Sequence, residues 1–236
     1  MENLIPRGEV REFDLARDAL RDVNQHLHRH SPAGGATRII VQNPDGAHSI
    51  ACGLNAELDV HIHGHVGYYV AGMNKHASVT VHGNAGPGAG ENMMSGRVHI
   101  KGFASTAAGA SAHGGLLVID GDASLRCGIS LKGADIVVGG SVGSFSAFMA
   151  QAGRLVICGD AEDALGDSLY EAVIYVRGKV RSLGADARFE TMTATDRAAV
   201  KGLLGAAGMV HDPAEFKRVA SGKALYHWNA DANQEY

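Results

Sequence analysis

A glycine recurs every 19 residues through the middle of this 236-residue chain, without an insertion over seven occurrences. The seven positions are Gly64, Gly83, Gly102, Gly121, Gly140, Gly159 and Gly178. A fixed period of roughly this length indicates a repeat architecture, in which one supersecondary unit stacks on copies of itself. The repeat therefore predicts one elongated domain, although the length alone also permits two small ones.

Aliphatic residues surround each of these glycines at fixed distances. Two residues before them stand Ile62, Val81, Ile100, Ile119, Val138, Ile157 and Val176, and four before stand Val60, Val79, Val98, Leu117, Ile136, Leu155 and Ile174. Two residues after them stand Val66, Ala85, Ala104, Ala123, Val142, Ala161 and Val180. A spacing of two puts side chains on one face of a strand, so each unit predicts one short strand facing the interior. The glycine then lies at a corner, where a positive φ or a close backbone approach excludes a Cβ.

These patterns predict an all-β solenoid: a single-stranded parallel β-helix, expected to be right-handed, of about seven 19-residue coils. The 32 glycines and only five prolines suit a fold with many tight corners. A leucine-rich repeat requires recurring Leu and Asn positions, and a hexapeptide β-helix requires an internal step of six; the chain has neither. The substitution Ile119→Asp is expected to cost several kcal/mol, because that side chain points inward, and Asp120→Ala is expected to be mild.

The flanks are expected to cover the open ends of the stack, because exposed strand edges invite uncontrolled pairing. The predicted domains are an N-terminal helical cap (1–38), the β-helix (39–187) and a C-terminal helical tail (188–236). The predicted cap elements are a helix within Asp14–His30, a strand over Arg38–Gln42, and helices over Thr195–Ala207 and Asp212–Val219. The apolar and aromatic stretch Ala224–Trp228 is expected to dock on the last coil or on a partner.

Charge and cysteine content narrow the functional classes. The 21 basic and 25 acidic residues give a formal charge of -4, without the basic excess that binding to a phosphate backbone requires. Cys52, Cys127 and Cys158 are widely spaced and odd in number, so we predict buried thiols rather than disulfides or a metal site. The first residues lack the apolar stretch of a signal peptide, and no run approaches the ~18 apolar residues of a membrane span. We expect a cytoplasmic location and neither nucleic acid nor membrane as a partner.

Histidines form the most metal-like cluster in the sequence. The register places His63 and His82 in one outward column of neighbouring coils, and His61 and His99 two coils apart in another. The His63 column continues with Lys101 and Asp120, which breaks the set of ligands that a metal site needs. We therefore predict no metal, cofactor or catalytic residue in this chain. A metal-binding or catalytic face made of His61, His63, His82 and His99 is the alternative to a stacked polar surface or a partner contact.

Three further features have a structural and a functional interpretation. The stretch Gly86–Gly96 contains a literal GxGxG but opens no helix, so corner glycines are favoured over a nucleotide loop. An acidic group is favoured as a solvated turn over a catalytic site, and it consists of Asp160, Glu162, Asp163 and Asp167. Partly exposed apolar side chains outside the ladders suggest a binding face, and they are Tyr68, Tyr69, Phe145, Phe148 and Met149.

The glycine-cornered 19-residue repeat resembles the C-terminal GXGXG domain of the glutamate synthase large subunit, and it is similar to the β-helical subunit of formylmethanofuran dehydrogenase. Three stretches look closest to the stand-alone version, the β-helical subunits of methylamine–glutamate N-methyltransferase, also called N-methylglutamate synthase. They are Gly90–Gly96, Gly121–Ser130 and Ser146–Gly153.

The resemblance covers essentially the whole chain and implies its partners. In that family the parts of glutamate synthase are separate chains: a class-II glutamine-amidotransferase-like subunit, the β-helix and an FMN-binding subunit. The complex makes N-methylglutamate and ammonia from methylamine and glutamate. The resemblance therefore implies a structural subunit of an enzyme complex, with FMN and the chemistry in the partner chains. A subunit of another glutamate synthase or of a formyl-transfer complex is the alternative within the same fold.

Overall fold

The computed structural model describes residues 10–29 and 37–223. Two helices and eleven strands lie in these ranges, together with one 3₁₀ turn. In chain order they are β1 (Val10–Asp14), α1 (Leu20–Arg29), β2 (Thr37–Gln42), β3 (Leu58–His63), β4 (Ser78–Val81), β5 (Arg97–Ile100), β6 (Leu116–Ile119), β7 (Lys132–Val138), β8 (Ala152–Ile157), β9 (Val173–Val176), β10 (Ala187–Glu190), α2 (Ala194–Ala207), the 3₁₀ turn Pro213–Glu215 and β11 (Lys217–Ser221). The predicted parallel β-solenoid of about seven turns is confirmed.

Strands β1 to β9 form one parallel ladder in chain order, and β11 and β10 follow at its end. From β3 to β9 the paired residues are 19 apart, as in the pairs Val60 with Val79 and Val79 with Val98, except that the pair Lys132 with Ala152 is 20 apart because the register shifts at the start of β7. Both predicted aliphatic ladders point inward, and their members are at most 1% exposed. The small residues after the corner glycines also pair from coil to coil, from Val66 to Val180. We number the coils 1 to 7 by the strands β3 to β9 that begin them.

Close backbone approach explains most of the corner glycines. Among the seven, a φ in the left-handed region is found at Gly64, where it is 140°. At Gly83 an added Cβ would lie 2.6 Å from the carbonyl carbon of Gly64 and 2.9 Å from the amide nitrogen of His65. The preceding coil therefore excludes a side chain at this corner even though the glycine backbone itself is unstrained.

On the far side of coils 1 to 6, the chain turns through an arc in which three alternate residues have a positive φ. In coil 2 these residues are Gly88, Gly90 and Asn92, with φ of 71°, 66° and 53°. Gly88 donates its amide to Thr106 of the next coil, and Gly90 donates to Val70 of the coil before, each at 2.9 Å. The glycines of the Gly86–Gly96 stretch are therefore corner residues, as predicted.

The N-terminal cap combines a strand with a shorter helix than predicted. Val10–Asp14 is a strand that pairs with β2, and helix α1 begins only at Leu20. The predicted lead-in strand is confirmed as β2. Val23 and Leu27 of α1 are buried against the arc that follows β2 and precedes coil 1. The helix predicted within Asp14–His30 is confirmed over Leu20–Arg29, whereas Asp14 belongs to a strand because the free edge of β2 offers the Val10–Asp14 backbone an extended partner.

The C-terminal cap contains the first predicted helix but not the second. Helix α2 is confirmed and begins after Thr193, whose hydroxyl accepts a hydrogen bond from the Asp196 amide in a capping box. The helix expected over Asp212–Val219 was wrong, because only Pro213–Glu215 makes a 3₁₀ turn and β11 follows. Strand β11 inserts antiparallel between β9 and β10 and so occupies the edge of the last coil. The stretch Ala224–Trp228 lies outside the described residues.

A second, smaller core lies on the outer face of the sheet. Side chains that point outward from β6 to β9 are apolar or aromatic there, and helix α2 covers them. They are Val118, Val137, Val156 and Tyr175, packed against Val200, Leu203, Leu204 and Ala207. On β3 to β5 the same outward positions are polar. No helix in the described part of the chain has the length and apolar character needed to cross a membrane.

Candidate functional site

The uncovered half of the outer sheet face carries the predicted histidines. His61 pairs with Thr80 and Thr80 with His99, so one outward column runs through β3, β4 and β5. The next residue in that column is Val118, the first that packs under α2. His99 lies at this boundary and is 8% exposed, whereas the His63 and His82 side chains lie open to solvent. We call His61, His63, His82 and His99 the histidine cluster.

Three of these imidazoles stack on one another. The rings of His63 and His82 are parallel within 2°, with 4.3 Å between centroids. His61 stacks less closely on His82, at 5.3 Å and 22°, and its Nδ1 lies 3.0 Å from His82 Nε2. The predicted one-coil neighbour relation of His63 and His82 is therefore confirmed, and His61 joins them as a hydrogen-bonding partner.

Two carboxylates, Asp59 and Asp120, contact the histidine cluster. The sequence analysis did not assign them to the site. Asp59 Oδ1 lies 3.1 Å from His61 Nε2, and Asp59 Oδ2 accepts a hydrogen bond of 2.8 Å from Arg38 Nε. Asp120 Oδ1 lies 2.7 Å from His99 Nε2 and its other oxygen 3.4 Å from Lys101 Nζ. Asp59 stands two residues before His61, on the same strand face, and this spacing is the signal that would have predicted the contact.

Burial lowers the pKa of two histidines of the cluster, His82 and His99. The pKa of His82 is lowered from its ordinary value of 6.5, first by partial burial and then by the positive charges of His63, His61 and Lys101. Burial also lowers the pKa of His99, although Asp120 opposes the effect. The hydrogen bond from His61 and then that from Arg38 lower the pKa of Asp59, against the effect of its burial. The surroundings therefore favour the neutral forms of His82 and His99 and the ionised form of Asp59.

The stacked arrangement differs from a metal centre. A metal ion is bound along the ring plane by nitrogens that converge on one point, whereas His63 and His82 face each other with their π surfaces. Residues 10–29 and 37–223 contain no group of three or more His, Cys, Asp or Glu side chains placed to hold a metal ion. A cavity of about 630 Å³ borders His63 and His65, but its other walls come mainly from the Asn43–Ala47 turn and the segment that connects β1 to α1.

The carboxylates of the predicted acidic group do not converge on one point; three of them contact residues of the next coil. Glu162 and Asp163 both contact Arg181 of the next coil, at 2.9 and 3.4 Å. Asp160 Oδ1 accepts a 2.7 Å hydrogen bond from the Lys179 amide. These carboxylates bridge successive coils, which agrees with the structural interpretation of the sequence.

The cysteines and the exposed apolar residues lie largely as predicted. Cys127 and Cys158 are buried, and burial raises the pKa of their thiols to about 12 and about 11, so they remain protonated. Cys52 is only partly buried. Tyr68, Tyr69, Phe145 and Met149 are all more than 40% exposed, and Phe148 is partly buried beside Phe145.

Fold and site together define a parallel β-solenoid with capped ends and a histidine-lined outer face. No protein-family model matches the chain. Among curated proteins, it is similar to Protein GlxC of Rhizobium meliloti (strain 1021), with 52% identity over 59 residues. The match covers 25% of this chain and 26% of the length of that relative, so the similarity is limited to one segment of each protein.

Proposed function

We propose that this chain is a non-catalytic structural subunit of a glutamate-synthase-like complex. The observation that carries the proposal is the continuous hydrogen-bonded stack of coils 1 to 7, in which each short arc of coils 1 to 6 is bonded to the arcs before and after it. Within the described residues, this packing leaves the coils no long loop of the kind that usually carries an active site. The family resemblance of the repeat supports the same assignment.

The finer assignment is N-methylglutamate synthase, which converts methylamine and glutamate to N-methylglutamate and ammonia. In this proposal a class-II glutamine-amidotransferase-like chain and an FMN-binding chain carry the chemistry, and the solenoid holds both in register. Seven coils at about 4.8 Å each give a body on the order of 34 Å tall, long enough to offer separate surfaces to two subunits. Backbone hydrogen bonds along its whole length make it a rigid spacer.

Co-expression tests the proposal directly. The chain would be produced with the proteins encoded beside it, and the FMN enzyme would be assayed with and without the solenoid. We expect a three-chain assembly whose activity falls when the solenoid is omitted. An FMN enzyme of undiminished activity that forms without this chain would contradict the structural role. Assays with methylamine, ammonia and formyl donors separate the N-methylglutamate synthase assignment from a glutamate synthase proper and from a formyl-transfer complex.

A further inference from the structure

The sheet ends in a short strand whose outer edge is open. Strand β10 hydrogen-bonds to β11 on one side, and within the described residues no other strand pairs with its opposite side. An unpaired edge of this kind is a template for pairing with another chain. The outer edge of β10 is therefore a candidate interface at the C-terminal end of the solenoid.

The pairing with β11 fixes which backbone groups of β10 point outward. The Gly222 amide donates to the Asp186 carbonyl oxygen, so these two residues form a hydrogen-bonded pair of the antiparallel ladder. Such pairs alternate with pairs that are not hydrogen-bonded, so Arg188 and Glu190 direct their amide and carbonyl groups toward β11. Phe189 lies between them and therefore directs its own N–H and C=O groups toward the open edge.

Phe189 forms an exposed end of the main core. It lies opposite Val219 of β11, and opposite residues of an antiparallel pair project to the same face of a sheet. Val219 is fully buried in the main core, whereas Phe189 is 51% exposed because no strand follows β10 in the described part of the sheet. About half of a large aromatic side chain is therefore left for a partner to cover.

Two opposite charges flank Phe189 on the other face of β10. Arg188 and Glu190 share that face because side chains alternate along a strand. Glu190 forms an ion pair with Arg218, the residue opposite it on β11, and it also contacts Arg188 at 2.9 Å. The Arg188 side chain is 60% exposed and lies opposite the small residue Ala220. The edge thus carries one basic and one acidic side chain, placed symmetrically about Phe189.

Only one antiparallel register of two β10 edges avoids contacts between like charges. Because the outward backbone groups belong to alternate residues, the possible registers differ by steps of two residues. With Phe189 opposite Phe189 of a second copy, each Arg188 lies opposite Glu190 of the other chain. A shift by two residues in one direction places Arg188 opposite Arg188, and a shift in the other direction places Glu190 opposite Glu190. Like charges directly opposite are destabilising, so the charges select the register centred on Phe189.

We propose that β10 pairs antiparallel with β10 of a second copy of this chain, about a two-fold axis at Phe189. The Phe189 N–H of each copy donates to the Phe189 carbonyl oxygen of the other, and the two rings cover each other on the core face. Each Glu190 then lies between Arg218 of its own chain and Arg188 of the other, so the exposed contact within one strand is replaced by a contact between chains. The interface is self-complementary, as a two-fold dimer requires. This inference does not depend on the proposed function.

The substitution Phe189→Cys tests the position of the axis. Hydrogen-bonded residues that lie opposite each other in an antiparallel pair have Cα atoms about 5.5 Å apart, which is within the span of a disulfide. We expect most of the full-length variant to become a disulfide-linked dimer under mild oxidation, as seen on a non-reducing gel. The matched control is Phe103→Cys, because Phe103 is also 51% exposed but lies in coil 3. Equal cross-linking of the two variants, or none in Phe189→Cys, would overturn the inference.

The substitution Arg188→Glu tests the charges, because it places a carboxylate opposite Glu190 of the second copy. Sedimentation equilibrium of the full chain measures the dissociation constant of the dimer, which we expect in the micromolar range for such a small interface. The variant should raise this constant by at least about 10-fold. The control Arg126→Glu makes the same charge change at an exposed arginine of coil 4 and should leave the constant within about two-fold of wild type. Circular dichroism verifies that both variants keep the fold.

Two results of the sedimentation experiment would contradict the dimer. A wild-type chain that stays monomeric up to about 100 µM would show that the β10 edge does not pair with itself. Residues 224–236 or another protein covering that edge would give the same result. An Arg188→Glu variant that dimerises as tightly as wild type would show that any dimer uses a different surface.

Discussion

The imidazole rings of His63 and His82 lie face to face, 4.3 Å apart and parallel within 2°, although 19 residues separate them in the chain. The contact follows directly from the coil register, because equivalent outward positions on successive coils become neighbours. Burial lowers the pKa of His82, and the positive charge of His63 lowers it further. The stack therefore makes the stability of the solenoid sensitive to mild acid.

We expect the protein to lose stability as the pH falls below about 6.5, the ordinary pKa of histidine. The folded-state pKa values of His82 and His99 are lowered, so below 6.5 the unfolded chain binds more protons than the folded one. The associated stability is fully present above 6.5 and is lost as the pH drops toward the folded-state values. Melting temperatures between pH 7.5 and 5 measure the effect.

His82→Gln is the control for this pH dependence, since it removes the imidazole at the centre of the stack. Its melting temperature should fall less steeply with pH than that of wild type. An unchanged slope in the variant would show that the stack does not cause the acid sensitivity.

Two glycine-to-alanine changes should have opposite signs. At Gly83 the added methyl group would overlap the Gly64 backbone, so we expect a loss of roughly 2–4 kcal/mol in unfolding free energy. At Gly202, within α2, nothing lies within 4 Å, so alanine should stabilise the helix by about 0.5–1 kcal/mol. Urea denaturation of both variants measures the difference. A neutral Gly83→Ala would refute the account of the corners.

Substitutions at inward and outward positions of the coils should differ sharply in their effect on stability. Ile119 is fully buried, so Ile119→Asp should cost several kcal/mol. Asp120→Ala was expected to be mild, but Asp120 is the hydrogen-bond partner of buried His99, so we now expect about 1–2 kcal/mol. Lys101→Ala is the mild outward control, at about 0.5 kcal/mol or less, because its contact with Asp120 is largely solvated. Equal losses in all three variants would contradict the assignment of faces.

The hydrogen bond that joins Tyr175 to Asp196 at the start of helix α2 provides a fourth test. The Tyr175 hydroxyl donates a buried 2.7 Å hydrogen bond to Asp196 Oδ1, and burial followed by this bond raises the pKa of Tyr175 to about 12. Asp196→Ala removes that acceptor and half of the capping box, so it should destabilise the protein by about 2–3 kcal/mol. Thr193→Ala should cost about 1 kcal/mol. Ultraviolet titration should show a lower Tyr175 pKa in Asp196→Ala but not in Thr193→Ala.

Zinc binding distinguishes the stacked polar surface from the metal alternative. The parallel rings of His63 and His82 do not converge on one point, so we expect no stoichiometric zinc after dialysis against the metal. One zinc per chain that disappears in the His63→Ala, His82→Ala double variant, with the fold intact by circular dichroism, would establish the alternative. The single variant His76→Ala, at another exposed histidine, controls for nonspecific binding.

The 19-residue spacing by itself determined the strands, their inward faces and which outward side chains are neighbours on successive coils. In a solenoid, residues one period apart in the sequence lie next to each other in space. The stacking of His63 on His82 was predictable for that reason. Tertiary structure decided the features that depend on groups far apart in sequence or on backbone shape. It turned Pro213–Ser221 mostly into a strand because β9 offered an unpaired edge, and it placed α2 over Val118. Tyr69 and Phe145 have a left-handed backbone. The local sequence does not predict this conformation, because neither residue type favours it.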